Sequence, residues 1–292
     1  MSSPEIRTIN PAEIFPLTSE MPDAPSELFA CGTLPSPETK LLTVVGSRSY
    51  TNYGSDACEE LIAGLAGYDI AIVSGLALGI DAIAHRAAIR AELPTIAVPG
   101  SGLSPEVLYP ASHRGLAEDI VAKGGVLISE LPSDTRAAQW TFPKRNRIMA
   151  GMAHATLIIE AGERSGTLIT ARLALDYNRE LLVVPHSIFS EGAQGSNRLL
   201  RQGAAPAIDS SDILRALGFD PEVGDGRKST SNTPADLPVP QLKLLSLLTE
   251  PLSRDELIRT SELPTTDANI ALSALEIKGF IKESMGLVRR VK

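Results

Sequence analysis

The chain has 292 residues, 43 % of them hydrophobic and 21 % charged, with a net charge of −8. That composition supports one sizeable hydrophobic core and a second, smaller one. No apolar run nears the roughly 18 residues of a membrane-spanning helix, so membrane helices are excluded. Cys31 and Cys58 lack CxxC spacing, which argues against a disulfide framework or a zinc knuckle, and the N-terminus has no apolar run behind a basic flank. The expected location is the cytoplasm, with no membrane partner, no metal and no cofactor.

Residues 1–40 are proline-rich, with two basic against six acidic residues, and read as an irregular lead-in whose first 11 residues are a tail. From Leu41 short apolar runs recur at Leu41–Val45, Ile70–Val73, Thr95–Val98, Val126–Ile128, Thr156–Ile159, Leu181–Val184 and Ala205–Ile208. Amphipathic stretches lie between most of them, at Asp56–Leu65, Asp81–Ala91, His113–Ala122, Thr167–Tyr177 and Asn197–Gln202. Alternation of this kind predicts an α/β domain over 12–217, a doubly wound, mainly parallel sheet covered on both faces. Residues 218–236 are dense in Gly, Pro, Ser and Asp and read as a flexible linker. Beyond it, 237–292 read as three helices, Val239–Leu248, Arg254–Thr260 and Thr266–Lys278, followed by a hairpin around Gly286. Ser253 and Thr265 are the expected N-caps of the second and third, and the order is that of a small winged-helix domain.

In an open parallel sheet, ligands bind beyond the carboxyl ends of the strands, where loops lead into helix N-termini. Four such loops stand out. Gly46-Ser47-Arg48 combines close backbone approach, a hydroxyl and a guanidinium fork suited to phosphate. No GxGxxG follows that strand and no Walker lysine motif occurs, which disfavours dinucleotide and triphosphate binding. Ser74–Asp81 holds Gly75 and Gly79, with Asp81 at a helix start and His85 one turn on. Those two side chains read either as an acid/base pair or, the weightier reading, as a helix cap with an i,i+4 contact.

Trp140–Arg147 places two aromatics before Lys144, Arg145 and Arg147, with Pro143 in the first turn of a helix. Cations beside aromatics suit single-stranded nucleic acid, in which charge tracks the backbone and a ring stacks on bases. The alternative buries Phe142 and spends the arginines on salt bridges. Ser165-Gly166-Thr167 opens a helix containing Thr170 and offers hydroxyls and backbone N–H groups to an anion. Although the chain is acidic, 140–172 carry Lys144, Arg145, Arg147, Arg164 and Arg172 against Glu160 and Glu163, a local balance of +3.

These residues resemble the DNA-processing protein A family (DprA, also called Smf) over roughly 12–217. The resemblance runs through Gly46-Ser47-Arg48, Ser74–Asp81 with His85, Gly100–Leu103 with Tyr109-Pro110, Ser129-Glu130, Phe142–Arg147, Glu160-Ala161, Ser165–Ala171, Gly195–Asn197 and Gly203-Ala204. Where the family has Pro-Gly after the late strand, this chain has Pro185-His186. The tail is similar to the winged-helix domain often appended to such proteins. The resemblance implies an extended Rossmann-like fold and a non-enzymatic single-stranded DNA-binding mediator of natural transformation. Such a protein protects incoming strands, helps load the RecA recombinase and forms a homodimer through the Rossmann-like domain. It also places Gly46, Ser47, Arg48, Phe142, Arg145, Asn146 and Arg147 in the DNA pocket, and Ser165, Gly166 and Thr167 on a phosphate. Lys144 falls at a variable motif position and enters as an electrostatic contributor. Three to five phosphate contacts would give a log–log salt slope of about −2 to −3.5.

Two rivals come from other classes. In phosphoribohydrolases with GGxGTxxE, glycines hold phosphate and the glutamate is catalytic; aligned on Gly166-Thr167, that glutamate falls on Thr170. A duplex-DNA regulator would use the winged helix, yet Thr266–Lys278 offers Asp267 and Glu276 against Lys278.

Overall fold

A computed structural model of the chain describes residues 5–221, 237–284 and 286–290. Most of the linker expected at 218–236 lies outside the described residues, as do the first four residues of the tail. The chain divides into two compact units, Met1–Gly224 and Asp225–Lys292.

The first unit is built on nine strands: β1 (Arg7–Ile9), β2 (Leu28–Gly32), β3 (Lys40–Val45), β4 (Ile70–Ser74), β5 (Thr95–Ala97), β6 (Val126–Ser129), β7 (Ala155–Ile158), β8 (Glu180–Val183) and β9 (Ala205–Pro206). They form one sheet in the order β1-β2-β6-β5-β4-β3-β7-β8-β9. Strands β3 to β9 pair in parallel, and β1 and β2 add an antiparallel edge. The helices are α1 (Pro11–Ile14), α2 (Asn52–Ala63), α3 (Ile80–Arg90), α4 (Arg114–Ala122), α5 (Thr141–Met152), α6 (Thr167–Asp176), α7 (Gln194–Arg201) and α8 (Ser210–Ala216). The doubly wound, mainly parallel α/β architecture expected from the sequence is present.

Alternate side chains of β3 explain the two covered faces. Leu42 and Val44 pack with Cys58, Ile62, Ile83 and Ile213 of α2, α3 and α8. Leu41 and Val45 pack with Ile148, Met149, Ala171 and Leu199 of α5, α6 and α7. Because both faces are apolar, the strands appear in sequence as unbroken apolar runs rather than alternating ones.

The lead-in corrects the sequence reading. It is not irregular: β1 and β2 extend the sheet, and Phe15, Leu28 and Ala30 join the core beside α5. Arg179 fastens the segment between them, donating to the Leu17 carbonyl, the Glu20 carboxylate and the Gly151 carbonyl.

Strand order sets the position of the site. The chain leaves β3 through β4, β5 and β6 on one side, then crosses back to β7 on the other. The β3/β7 junction is therefore the topological switch point, where the loops after the two strands diverge and leave a crevice.

The second unit comprises α9 (Val239–Leu247), β10 (Leu252–Ser253), α10 (Arg254–Ser261), α11 (Thr265–Ile277) and the hairpin β11 (Ile281–Ser284) with β12 (Leu287–Arg290). Leu244, Leu257, Leu272, Leu275 and Val288 form its core. Ser253 caps α10, accepting from the Glu256 amide. Thr265 is not the cap of α11: Pro264 holds that position and Thr265 is the first helical residue. Pro264 has the non-helical backbone usual for an N-cap, with φ −52° and ψ 134°.

Candidate nucleic-acid interface

A cavity of about 660 Å³ opens at the β3/β7 switch point. Its walls come chiefly from Gly46–Ser49 after β3, the first turns of α5 and the Gly162–Thr170 turn into α6, with Ala77, Asp81 and Gly192 adding to the lining. The lining includes Arg48, Arg145 and Arg164 against the single carboxylate of Asp81, so its charge is opposite in sign to that of the whole chain. Clefts of one sign concentrate counter-charged ligands.

The loop after β3 is held from below by α3. The Ile80 amide donates to the Ser47 carbonyl at 3.2 Å, and Ser47 Oγ accepts from the Ser49 amide at 3.1 Å. Gly79 makes that approach possible: its φ is +82°, and a Cβ there would fall 2.4 Å from the Ser47 carbonyl oxygen. Arg48 is left exposed, its guanidinium carbon 5.6 Å from the centre of the Phe142 ring. On the opposite wall, Ser165 Oγ accepts from the Thr167 amide at the start of α6. Thr170, 1 % exposed, lines the cavity one turn further along.

The helical period divides the basic island. Phe142, Arg145, Asn146 and Met149 (i, i+3, i+4, i+7) fall on the face of α5 that lines the cavity. Lys144 and Arg147 fall on another. Both engage Glu130, Lys144 at 3.3 Å and Arg147 at 2.5 Å, and Arg147 also donates to the Asp23 carbonyl. These two do not join the cavity; they fasten α5 to the β6 end and to the lead-in.

Arg145 faces the cavity but serves as part of its floor. It is 7 % exposed, bonds the Gly75 and Val98 carbonyls through Nη1, and donates from Nε to Asn146 Oδ1 at 2.9 Å. Burial lowers its pKa to about 10, with Asp81 acting in the opposite direction, so it stays charged at neutral pH.

Asp81 and His85 take structural roles rather than forming an acid/base pair, though through other contacts than a helix cap and a mutual i,i+4 bond. Asp81 accepts from the Gly75 amide at 3.1 Å and lies in the field of Arg145, so it braces the loop after β4. His85 Nδ1 contacts Thr95 Oγ1 at 2.8 Å inside the core. Gly75 is where the brace closes, since a Cβ there would overlap both the Arg145 guanidinium and the Asp81 carboxylate.

Fully buried His85 and half-buried His154 carry a pH prediction. Burial lowers the His85 pKa to about 3 and that of His154 to about 4, from 6.5. His154 Nδ1 accepts from the Leu41 amide, which requires its neutral form. The unfolded chain therefore binds more protons than the folded one between pH 6.5 and these values. Stability then falls on acidification through that window, by up to about 1.4 kcal/mol per pH unit for the fully buried His85 and by less for the half-buried His154. Burial raises the Asp81 carboxyl, which acts in the opposite sense just above its ordinary 3.8. Thermal melts at pH 7, 6 and 5 should show a stepwise fall in Tm, and a flat profile would contradict it.

Sequence reasoning missed Arg164 as a site residue, although it directly precedes Ser165-Gly166-Thr167, and it gave Tyr109 no role. In the second unit, α11 exposes Ile270 and Ile277, and Lys278 donates to Gln241. Among the described residues there is no group of three or more side chains able to hold a metal ion, and no helix is long and apolar enough to cross a membrane.

Comparison with known proteins identifies the family and the fold. A profile of the family described as DNA recombination-mediator protein A matches residues 5–218, and one of the DprA winged helix domain matches 228–286. The chain is 35 % identical to protein Smf of Escherichia coli over 89 % of its own length and 70 % of that protein's. It is 40 % identical to DNA processing protein DprA of Bacillus subtilis over 67 % of this chain and 65 % of that one. Among solved structures, DprA of Streptococcus pneumoniae matches with a TM-score of 0.67 at 33 % identity, covering 74 % of this chain and 75 % of that one. DprA of Helicobacter pylori, described for its single-stranded DNA binding mode, matches at 0.63 and 27 % identity, covering 73 % and 95 %. This chain belongs to the DNA recombination-mediator protein A family.

Proposed function

We propose that this protein binds single-stranded DNA at the β3/β7 cavity and acts as a recombination mediator. It protects incoming strands during natural transformation and passes them to the RecA recombinase. It works in the cytoplasm as a homodimer formed through the first unit. The observation that carries this reading is the convergence of Arg48, Arg164 and the Ser165-Gly166-Thr167 turn on one cavity beside Phe142. Its amides, hydroxyls and guanidinium groups are those a sugar–phosphate backbone requires. The single-stranded DNA binding named for the Helicobacter pylori relative supports the same ligand.

The cavity performs no chemistry on the strand. Asp81, its lining carboxylate, is bonded to a backbone amide, and Thr170 stands where a phosphoribohydrolase would have its glutamate. Gly46, Ser47, Arg48, Asn146, Ser165, Gly166 and Thr167 contact the backbone, and Phe142 contributes a ring. Arg145 supports them from the floor.

The test is fluorescence anisotropy with a labelled dT oligomer and a duplex of equal length, on wild type and Arg48→Ala. Tight single-strand binding, weaker duplex binding and loss in the variant are expected. Duplex binding that is equally tight and survives the substitution would overturn the assignment. RecA filament nucleation on coated single strands, and the mass of the protein in solution, test the hand-over and the homodimer.

A further inference from the structure

The loop that carries Arg48 is pinned to the rest of the protein on either side of that residue. One pin is the Ile80 amide of α3, which donates to the Ser47 carbonyl. The other is Thr51, the N-cap of α2, and the group that holds it comes from across the switch point. Glu160, directly after β7, accepts through Oε2 from the Thr51 amide at 3.0 Å and from Thr51 Oγ1 at 2.8 Å. Thr51 Oγ1 accepts in turn from the Gly54 amide of α2. Arg48, Ser49 and Tyr50 bridge the two pins.

Glu160 is an unfavourable residue at that position on energetic grounds alone. It is 0 % exposed, and its Oε1 has no hydrogen-bond partner among the described residues. Burying a carboxylate with half of its oxygens unpaired is destabilising, and beside an anion cavity its charge also opposes the ligand. Room for it is nonetheless kept from both sides. A Cβ on Gly54 would fall 2.4 Å from Oε2, and one on Gly192, which lines the cavity, 3.0 Å from Oε1. The carboxylate therefore lies between a glycine of α2 and a glycine of the segment after β8. Its neighbours in the chain are fastened as well. The Ile159 carbonyl accepts from His186 Nε2 at 2.7 Å, and the Ala161 amide donates to Ser196 Oγ at 2.9 Å. The end of β7 is thus a fixed point, and Glu160 passes its position to the start of α2.

We propose that Glu160 is a positioning residue for strand binding, which fixes the start of α2 against β7 and so holds Arg48 at the cavity. This rests on the strand-binding reading above and names what sets the geometry of its free cation. A guanidinium on a fixed backbone gives up less freedom on meeting a phosphate than one on a loose loop. Glu160 itself touches no ligand and acts only through Thr51.

The experiment measures affinity for a labelled dT oligomer across a salt series, for Glu160→Ala, Glu160→Gln and Thr51→Val, each alone and combined with Arg48→Ala. Glu160→Ala should weaken binding by roughly 2- to 150-fold, the range for coupled members of one hydrogen-bond network, and by no more than Arg48→Ala does. It should also flatten the log–log salt slope by up to about 0.7, the share of one phosphate. On the Arg48→Ala background the same substitution should add little. Glu160→Gln should restore the wild-type slope and most of the affinity, because its amide oxygen can accept both Thr51 bonds. Thr51→Val, which keeps the amide bond to Glu160 and loses the hydroxyl one, should show a smaller loss with the same dependence on Arg48, so the test stands even if Glu160→Ala does not fold. Equal losses with and without Arg48, at an unchanged slope, would make Glu160 an ordinary support of the fold and overturn the proposal. So would undiminished binding by Glu160→Ala, or a loss in Glu160→Gln as large as in Glu160→Ala. In either case weakened binding by Arg48→Ala alone leaves the strand-binding reading intact. Failure of wild type to bind the oligomer would overturn both.

Discussion

Arg145→Ala should cost about 3–5 kcal/mol of stability, the usual loss when one partner of a buried charged pair is removed. For a unit of this size that corresponds to a fall in Tm of about 6–20 °C, read by thermal or denaturant unfolding. Although Arg145 lies in a motif that reads as a DNA contact, its guanidinium is committed within the protein. It joins the Gly75 carbonyl after β4 to the Val98 carbonyl after β5 and lies beside the buried Asp81. Truncation leaves two buried carbonyls and a buried carboxylate without their cation, each with its own desolvation cost. Arg145→Lys should recover only part of the loss, because one ammonium cannot reproduce the planar fork that also reaches Asn146. The exposed Arg90–Glu59 pair is the natural contrast, and breaking it should change stability by less than about 1 kcal/mol. A folded Arg145→Ala protein with unchanged Tm and weakened strand binding would return Arg145 to the ligand.

Legibility in the sequence followed the length and regularity of each signal. Strands β3 to β8 were readable because each is a run of apolar residues between turn residues, and that alternation with helices admits one fold class. The lead-in was not, since β1 has three residues and its partner five, too few to show a period. What makes β2 a strand is a neighbour, β6, that lies about 100 residues away in the chain, and β1 pairs with β2 in turn. The loops that build the cavity could be picked out individually, because glycine, hydroxyl and arginine after a strand have a local meaning. Whether adjacent cations act together could not. Residues 144, 145 and 147 are neighbours in sequence, yet a helix turns about 100° per residue and sends them to different surroundings. Glu130, which claims two of them, belongs to another segment altogether. Asp81 and His85 teach the same lesson, as the correct i,i+4 spacing yielded to partners at Gly75 and Thr95.

That division of the cations leads to a second large effect, on binding. Arg48 and Arg164 line the cavity and have no ion-pair partner among the described residues, whereas Lys144 and Arg147 are held by Glu130. Arg48→Ala should therefore weaken single-strand binding by roughly 10- to 150-fold, the equivalent of one charge-assisted hydrogen bond. Lys144→Ala should leave affinity nearly unchanged. Arg147→Ala should act mainly on stability, since it removes the closer of the two cations on the part-buried Glu130 carboxylate and the tie to Asp23. Salt dependence separates these cases more cleanly than affinity does, because each neutralised phosphate contributes about −0.7 to the log–log slope on single strands. Two free arginines give a slope of about −1.4, shallower than the −2 to −3.5 expected for three to five phosphate contacts. Arg48→Ala should halve it, and Lys144→Ala should not move it. A wild-type slope steeper than about −2 would mean that the strand recruits cations from beyond the cavity. If Lys144→Ala then flattened that slope, the Glu130 pair would have to open on binding, and α5 would present both of its charged faces to DNA.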